Sequence, residues 1–112
     1  MKLQLGEVVL ISIQFHQATG GKVRPAVVLL DIEDDDFVAA PVTSQPRYSA
    51  YDLVIRDWRA AGLNVASSLR IHKLTVLAKT EIVRNLGSLS DIDRDELLRV
   101  MCQAFCRRPG EA

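Results

Sequence analysis

The stretch that decides the fold runs from Gly20 to Leu30 and reads GGKVRPAVVLL. It ends in five aliphatic residues without alternation, which is typical of a strand buried on both faces inside a sheet. The paired glycines permit positive φ and predict a loop over residues 18–22. Arg24 and Pro25 stand where the loop becomes the strand. The stretch therefore predicts a central strand over residues 23–31 with a guanidinium at its mouth.

Further strands are predicted on both sides of this one. Residues 6–15 (GEVVLISIQF) alternate between apolar and polar positions, as a strand with one buried face does. Residues 37–44 (FVAAPVTS) follow an acidic turn, and Pro41 indicates an edge or a bulge because proline cannot donate to a ladder. Short strands are predicted at 52–55 and 80–86, and a longer one at 67–77. The phase of the longer strand slips beyond Lys73, which suggests a bulge or a strand end.

One long helix is predicted over residues 90–106. Ser90 and Asp93 form an S-x-x-D start signal. An apolar stripe at helical spacing is interpreted as core packing, and consists of Leu97, Leu98, Met101, Ala104 and Phe105. A single helical turn before it, capped by Asp57 and ended by Gly62, is predicted over residues 56–63. The pattern as a whole is mainly β: a small, mostly antiparallel barrel closed by a C-terminal helix.

Composition places the chain among ordinary soluble proteins. Its 112 residues fit a single domain, and 48% hydrophobic and 25% charged content are usual for one. The 14 basic and 14 acidic residues give a formal net charge of zero, which weighs against bulk electrostatic capture of nucleic acid but allows a local basic patch. Aromatic residues are only 5%, so stacking platforms for bases are scarce.

The two cysteines, Cys102 and Cys106, lie four apart with no His or further Cys nearby, so they do not make a zinc set and are interpreted as a reduced pair. No segment approaches the roughly 18 apolar residues of a membrane span. The N-terminus lacks the apolar stretch of a secretion signal. We therefore expect a cytoplasmic protein with no membrane contact.

Four segments in order resemble the MazF/PemK family of type II toxins. These are GEVVLISIQF (6–15), GGKVRPAVVLL (20–30), VAAPVTSQ (38–45) and the long second half from IRDWRAAGL to LGSLS (55–90). The resemblance covers roughly residues 5 to 106. It implies an SH3-like antiparallel barrel of the MazF/PemK/CcdB type forming one toxin domain over 1–112, normally as a homodimer. It also implies a sequence-selective endoribonuclease that cuts single-stranded RNA without metal or cofactor, and a cognate antitoxin.

Metal-free cleavage uses the substrate's own 2'-hydroxyl, and needs a base, an acid and cations for the phosphorane. The resemblance implies that Arg24 is catalytic, and a guanidinium suits phosphate oxygens at any working pH. Pro25 biases residue 24 towards extended geometry and so orients it. Thr43 and Ser44 are implied to contribute hydroxyls to the same site. The alternative for Arg24 is an ion pair at a strand end, and for the hydroxyls a turn-capping role.

Arg70 and His72 are two apart on a predicted strand and therefore share a face. Some PemK relatives hold Arg and Asp here as acid and base, so His72 replaces the acidic residue. An imidazole can do this work near neutral pH. The alternatives are a histidine that only satisfies a hydrogen bond, or one that binds RNA without proton transfer.

Basic and polar residues elsewhere are predicted to bind the substrate. They are His16, Gln45, Arg47, Lys73 and Lys79. Two other functions stay open at this point. One is a CcdB-like poison that binds gyrase instead of cutting RNA, and the other is a degenerate relative that only binds RNA or an antitoxin.

Overall fold

The computed structural model describes residues 2–13, 22–107 and 110. The described chain forms seven strands, two short 3₁₀ turns and one α-helix. They are β1 (Glu7–Ile13), β2 (Lys22–Leu30), β3 (Asp36–Thr43), β4 (Asp52–Val54), β5 (Ser68–Arg70), the 3₁₀ turn Ile71–Lys73, β6 (Thr75–Ala78), the 3₁₀ turn Lys79–Glu81, β7 (Ile82–Ser88) and α1 (Asp91–Phe105).

The strands pair antiparallel in the order β4-β5-β3-β2-β1-β7, and β6 also pairs with β3. β2 therefore lies inside the sheet, as its aliphatic run predicted. The mainly β fold with a C-terminal helix is confirmed. Among the described residues the hydrogen-bonded path is open, ending at β4 on one side and at β7 on the other.

Two hydrophobic cores lie on the two sides of β2. Val27 and Leu29 enter the core that also contains Leu97 and Val100 of α1. Their neighbours on the strand enter a second core, whose buried members are Leu3, Val9, Ile11, Ala26, Val28, Phe37 and Ala39. Burial on both faces explains why the sequence of β2 shows no apolar–polar alternation.

β3 changes partners along its length, and Pro41 lies at the change. Residues 36–39 pair with β6, while Val42 and Thr43 pair with β5. Pro41 falls between the two ladders on that side, so its missing N–H removes no bond from either. In place of the predicted edge or bulge, Pro41 lies on a short stretch of β3 that is unpaired on that side, between β6 and β5.

The strand predicted over residues 67–77 is wrong in its length. β5 ends at Arg70, a 3₁₀ turn follows at Ile71–Lys73, and β6 begins at Thr75. The interruption lets the chain leave one ladder on β3 and join the other. Sequence phase indicated an irregularity, but placed it after Lys73.

The helix begins as predicted, since the Ser90 hydroxyl accepts the Asp93 N–H at 3.2 Å. The apolar stripe is only partly core. Leu97 is fully buried, but Leu98 is 47% and Phe105 57% exposed. The interpretation of those two residues as core packing is therefore wrong.

Candidate active-site cleft

A cleft of about 790 Å³ opens at the end of β2 that carries Arg24. Five neighbouring strands and the segment 62–65 contribute to its walls. The lining residues are Leu10, Val23, Arg24, Pro25, Pro41, Val42, Thr43, Ser44, Gln45, Arg47, Gly62, Leu63, Asn64, Val65, Ser67, Arg70, Arg84 and Leu86. The cleft thus brings together Arg24, Thr43, Ser44 and Arg70 from the predicted catalytic set.

Arg24 occupies the exposed start of an otherwise buried strand. Residues 22–24 are exposed, Pro25 is half-buried, and residues 26–29 are buried. Within the described residues the guanidinium makes no hydrogen bond or ion pair. The ion pair considered as its alternative role is therefore not seen in that part of the chain. A strand anchored in two cores therefore carries into the cleft a guanidinium that has no ion-pair partner among the described residues.

Thr43 ends β3 at the cleft wall, and Ser44 follows it there. The Thr43 hydroxyl oxygen accepts the Gln45 N–H at 3.1 Å, which is the turn-capping contact. Because the oxygen acts there as an acceptor, its own hydrogen is left to donate elsewhere. The Gln45 amide oxygen accepts from the Arg47 guanidinium at 3.0 Å. Capping and phosphate binding are thus compatible at Thr43.

Arg70 lies in a polar network of the cleft wall. Its Nε donates to Asp52 Oδ1 at 2.9 Å, and its Nη2 lies 3.3 Å from His72 Nε2. A guanidinium only donates, so Nε2 is the acceptor of this contact in the neutral tautomer that carries its proton on Nδ1. The His72 ring also lies 6.2 Å from the Tyr51 ring, centroid to centroid.

The remaining predicted residues divide into three groups. Gln45 and Arg47 line the cleft. His72 and Lys73 are exposed in the 3₁₀ turn after β5 and are not among the residues that line the cleft, but His72 contacts Arg70, which is. Lys79 lies elsewhere, with its Nζ 2.8 Å from Asp31 Oδ1.

His16 lies outside the described residues, so its predicted contact with RNA stays a prediction.

Sequence reasoning missed Arg84, Asn64 and Ser67, which also line the cleft. Arg84 lies opposite Leu10, whose other cross-strand partner is Pro25. Alternation along residues 82–86 could have found it, because it places Arg84 on the same face as Leu86. Among the described residues that line the cleft there are, with Arg84, four arginines and no carboxylate. A chain of zero net charge therefore carries a locally positive cleft.

The wall formed by residues 62–65 depends on Gly62. The segment before it forms hydrogen-bonded turns, with the Ala61 N–H donating to the Asp57 carbonyl at 3.1 Å. Gly62 has φ +88°, and a Cβ there would lie 2.0 Å from the Leu86 carbonyl oxygen. Glycine is thus required both for the left-handed conformation and for the close approach to β7. Its predicted role in ending the turn is confirmed.

Asp93 fixes the start of the segment that runs from Arg56 to the cleft wall. Its buried carboxylate, 1% exposed, accepts the N–H of Arg56 at 3.0 Å and the N–H of Asp57 at 2.8 Å. The helix N-terminus therefore holds the segment that leads into the cleft wall. Trp58 is partly buried and packs against the core that contains Leu97 and Val100 of α1. The Arg59 guanidinium lies 4.8 Å from its ring centroid.

Across residues 2–13, 22–107 and 110, no three His, Cys, Asp or Glu side chains come together as a possible metal site. Cys102 and Cys106 are exposed free thiols. In the same described ranges, no helix has the length and apolar character needed to cross a membrane.

Comparison with known proteins gives a family. Residues 4–105 match the model of the PemK-like, MazF-like toxins of type II toxin–antitoxin systems. No curated protein sequence matches the chain. The chain belongs to the PemK-like, MazF-like toxin family.

Solved structures of low sequence identity share the fold. An endoribonuclease in complex with its cognate antitoxin, from a mycobacterial species, is 13% identical with a TM-score of 0.73, over 96% of this chain and 98% of that chain. The MazE–MazF complex of Deinococcus radiodurans is 17% identical with a TM-score of 0.75, over 95% and 97%. The Mycobacterium tuberculosis toxin MazF-mt6 is 19% identical with a TM-score of 0.70, over 89% and 98%.

Proposed function

We propose that this chain is a cytoplasmic, sequence-selective endoribonuclease that cuts single-stranded RNA in the cleft without a metal. The observation that carries the proposal is the convergence of Arg24, Arg70, Thr43 and Ser44 on one positive cleft. Guanidinium groups and hydroxyls are donors that bind phosphate oxygens and stabilise charge on a phosphorane. Family membership and a solved relative described as an endoribonuclease support the same function.

In the proposed reaction the 2'-oxygen attacks the adjacent phosphorus and the bond from phosphorus to the 5'-oxygen breaks. The 2'-proton goes to a base and the leaving 5'-oxygen receives a proton, leaving a 2',3'-cyclic phosphate and a 5'-hydroxyl. Arg24 stabilises the charge on the non-bridging oxygens. Thr43 and Ser44 donate to the same phosphate and fix its position.

Arg70 and His72 are proposed to act on the protons. His72 takes the 2'-proton as the base, and Arg70 gives the proton that the leaving 5'-oxygen receives. In the free protein the Nε2 lone pair of His72 accepts from Arg70. A phosphate in the cleft competes for the same guanidinium, because an anion attracts it more strongly than a neutral imidazole does. When the phosphate takes the Nη2 hydrogens of Arg70, the lone pair that the base requires is freed.

We also propose that residues 1–112 form one toxin domain that works as a homodimer, and that a cognate antitoxin covers the cleft. The solved complexes of relatives with antitoxins support that partner. Gln45 and the exposed loop up to residue 50 are proposed to contact the bases beside the cut. Arg47 at the cleft mouth is proposed to contact a phosphate of the RNA backbone.

The test is to incubate purified protein with a long mixed-sequence RNA in EDTA and to map the new 5' ends. We expect cuts at a short recurring sequence. Arg24→Ala should abolish cutting while the protein stays folded, and His72→Ala should reduce it steeply. Arg59→Ala is the matched control, because Arg59 stacks on Trp58 outside the cleft and should cut normally.

Intact RNA after incubation with the wild type, or wild-type cutting by Arg24→Ala, would overturn the proposal. In the first case, inhibition of gyrase supercoiling would point to the CcdB-like function. Tight RNA or antitoxin binding without cutting would point to a degenerate relative.

A further inference from the structure

We propose that Asp52 is a positioning residue that holds the Arg70 guanidinium in the cleft, an inference that rests on the proposed ribonuclease function. Asp52 does not line the cleft, and neither composition nor motif marks it as functional. Its place in the fold gives it this role.

Asp52 and Arg70 are direct cross-strand partners in the β4–β5 pair. The Asp52 side chain is only 1% exposed, whereas that of Arg70 is 25% exposed and reaches the cleft. Asp52 takes the Nε hydrogen of Arg70, at 2.9 Å. Arg70 is therefore held at its Nε, and its terminal nitrogens are left to bind a ligand in the cleft.

The second oxygen of Asp52 is fixed as well. Oδ2 accepts the Ser49 N–H at 3.1 Å, and the Asp52 N–H donates to the Ser49 carbonyl at 3.1 Å. Burial opposes the ionised carboxylate, but the hydrogen bonds from Ser49 and Arg70 outweigh it and lower the pKa of Asp52. The carboxylate is thus a charged and immobile anchor.

Electrostatics in the cleft explain why an anchor is needed. Arg24, Arg47 and Arg84 also line the cleft, and like charges repel when no RNA is bound. Without Asp52, repulsion from the other arginines would favour an Arg70 side chain that turns away from the cleft towards solvent. It would then have to be reordered each time RNA binds, which lowers the rate of the chemical step.

The experiment is a double-mutant cycle on RNA cleavage with Asp52→Asn, Arg70→Ala and the combined variant. Asn keeps the size of the side chain and removes its charge. We expect Asp52→Asn to lower kcat tenfold or more with a smaller change in KM. In the Arg70→Ala background the same change should have almost no further effect, because the anchor then holds nothing.

Two controls separate positioning from stability. Ile55 is buried just after β4. Ile55→Val removes one methyl group from the same region and leaves the Asp52–Arg70 contact in place. This variant should cut at the wild-type rate. If Asp52→Asn does not fold, Asp52→Ser is put through the same cycle.

Equal losses in both backgrounds, or no loss with Asp52→Asn, would overturn the inference and leave the ribonuclease proposal intact. A wild-type protein that leaves RNA whole would overturn both.

Discussion

Salt dependence of RNA binding should report how many arginines of the cleft meet phosphates. Four arginines line it, but the Arg70 charge is already compensated by Asp52. Arg24, Arg47 and Arg84 have no anionic partner among the described residues. Single-stranded nucleic acid loses about 0.7 in log K per tenfold salt for each phosphate neutralised, so three contacts predict a slope of about −2. Affinity should then fall roughly 20-fold between 50 and 200 mM salt.

The assay is fluorescence anisotropy with an oligonucleotide that carries a 2'-deoxy sugar at the mapped cut site, which removes the proposed nucleophile. Potassium chloride is varied and log K is plotted against log salt concentration. Arg84→Ala should reduce the steepness of the slope by about 0.7, since one phosphate contact is lost. Arg59→Ala, outside the cleft, should leave the slope unchanged.

A slope near zero would refute the reasoning, because the cleft arginines would not be meeting phosphates. So would an equal change of slope for Arg59→Ala and Arg84→Ala, since binding would then follow overall charge and not the cleft.

Two further predictions concern stability. Asp93→Ala leaves two backbone N–H groups without their acceptor, and should lower the free energy of unfolding by about 2–5 kcal/mol in urea titration. Asp93→Asn should lose about half as much. A loss under about 1 kcal/mol for the alanine variant would contradict this account. The Lys79 ammonium, followed by the Leu3 N–H, lowers the pKa of Asp31 from 3.8 to about 2. A lowered carboxylate pKa stabilises the fold above the unfolded value and ceases to do so as pH falls through the folded value. The stability advantage of wild type over Asp31→Asn should therefore be constant near neutral pH and shrink between pH 3.8 and about 2 in thermal melts; an advantage that does not change over that range would contradict the ion pair.

Local sequence signals predicted the parts of the fold that depend on neighbouring residues. The run after Arg24 identified a central strand because burial on both faces removes alternation. Ser90 identified the helix start because the cap is made by a residue three positions away. The approach of Arg24, Thr43, Ser44 and Arg70 to one cleft was reached through the family resemblance, since these residues are up to 46 positions apart in the sequence.

The parts that could not be predicted depend on distant partners. The sequence did not indicate that the Lys79 ammonium meets the carboxylate of Asp31, 48 residues earlier in the chain; its contact with RNA stays a prediction. The sequence indicates Asp93 only as part of the helix start signal. Its carboxylate also accepts hydrogen bonds from backbone N–H groups 36 and 37 residues away. The end of β5 at Arg70 follows from the change of partner on β3, which no local pattern in residues 67–77 records.

The central place of β2 between two cores has a consequence for how the molecule melts. Each core uses alternate residues of the same strand, so neither can be dismantled while β2 stays ordered for the other. The side that carries α1 and the opposite side are thereby coupled into one cooperative unit, and heating should produce a single calorimetric peak. The strand that presents Arg24 is then among the last parts of the chain to lose its order.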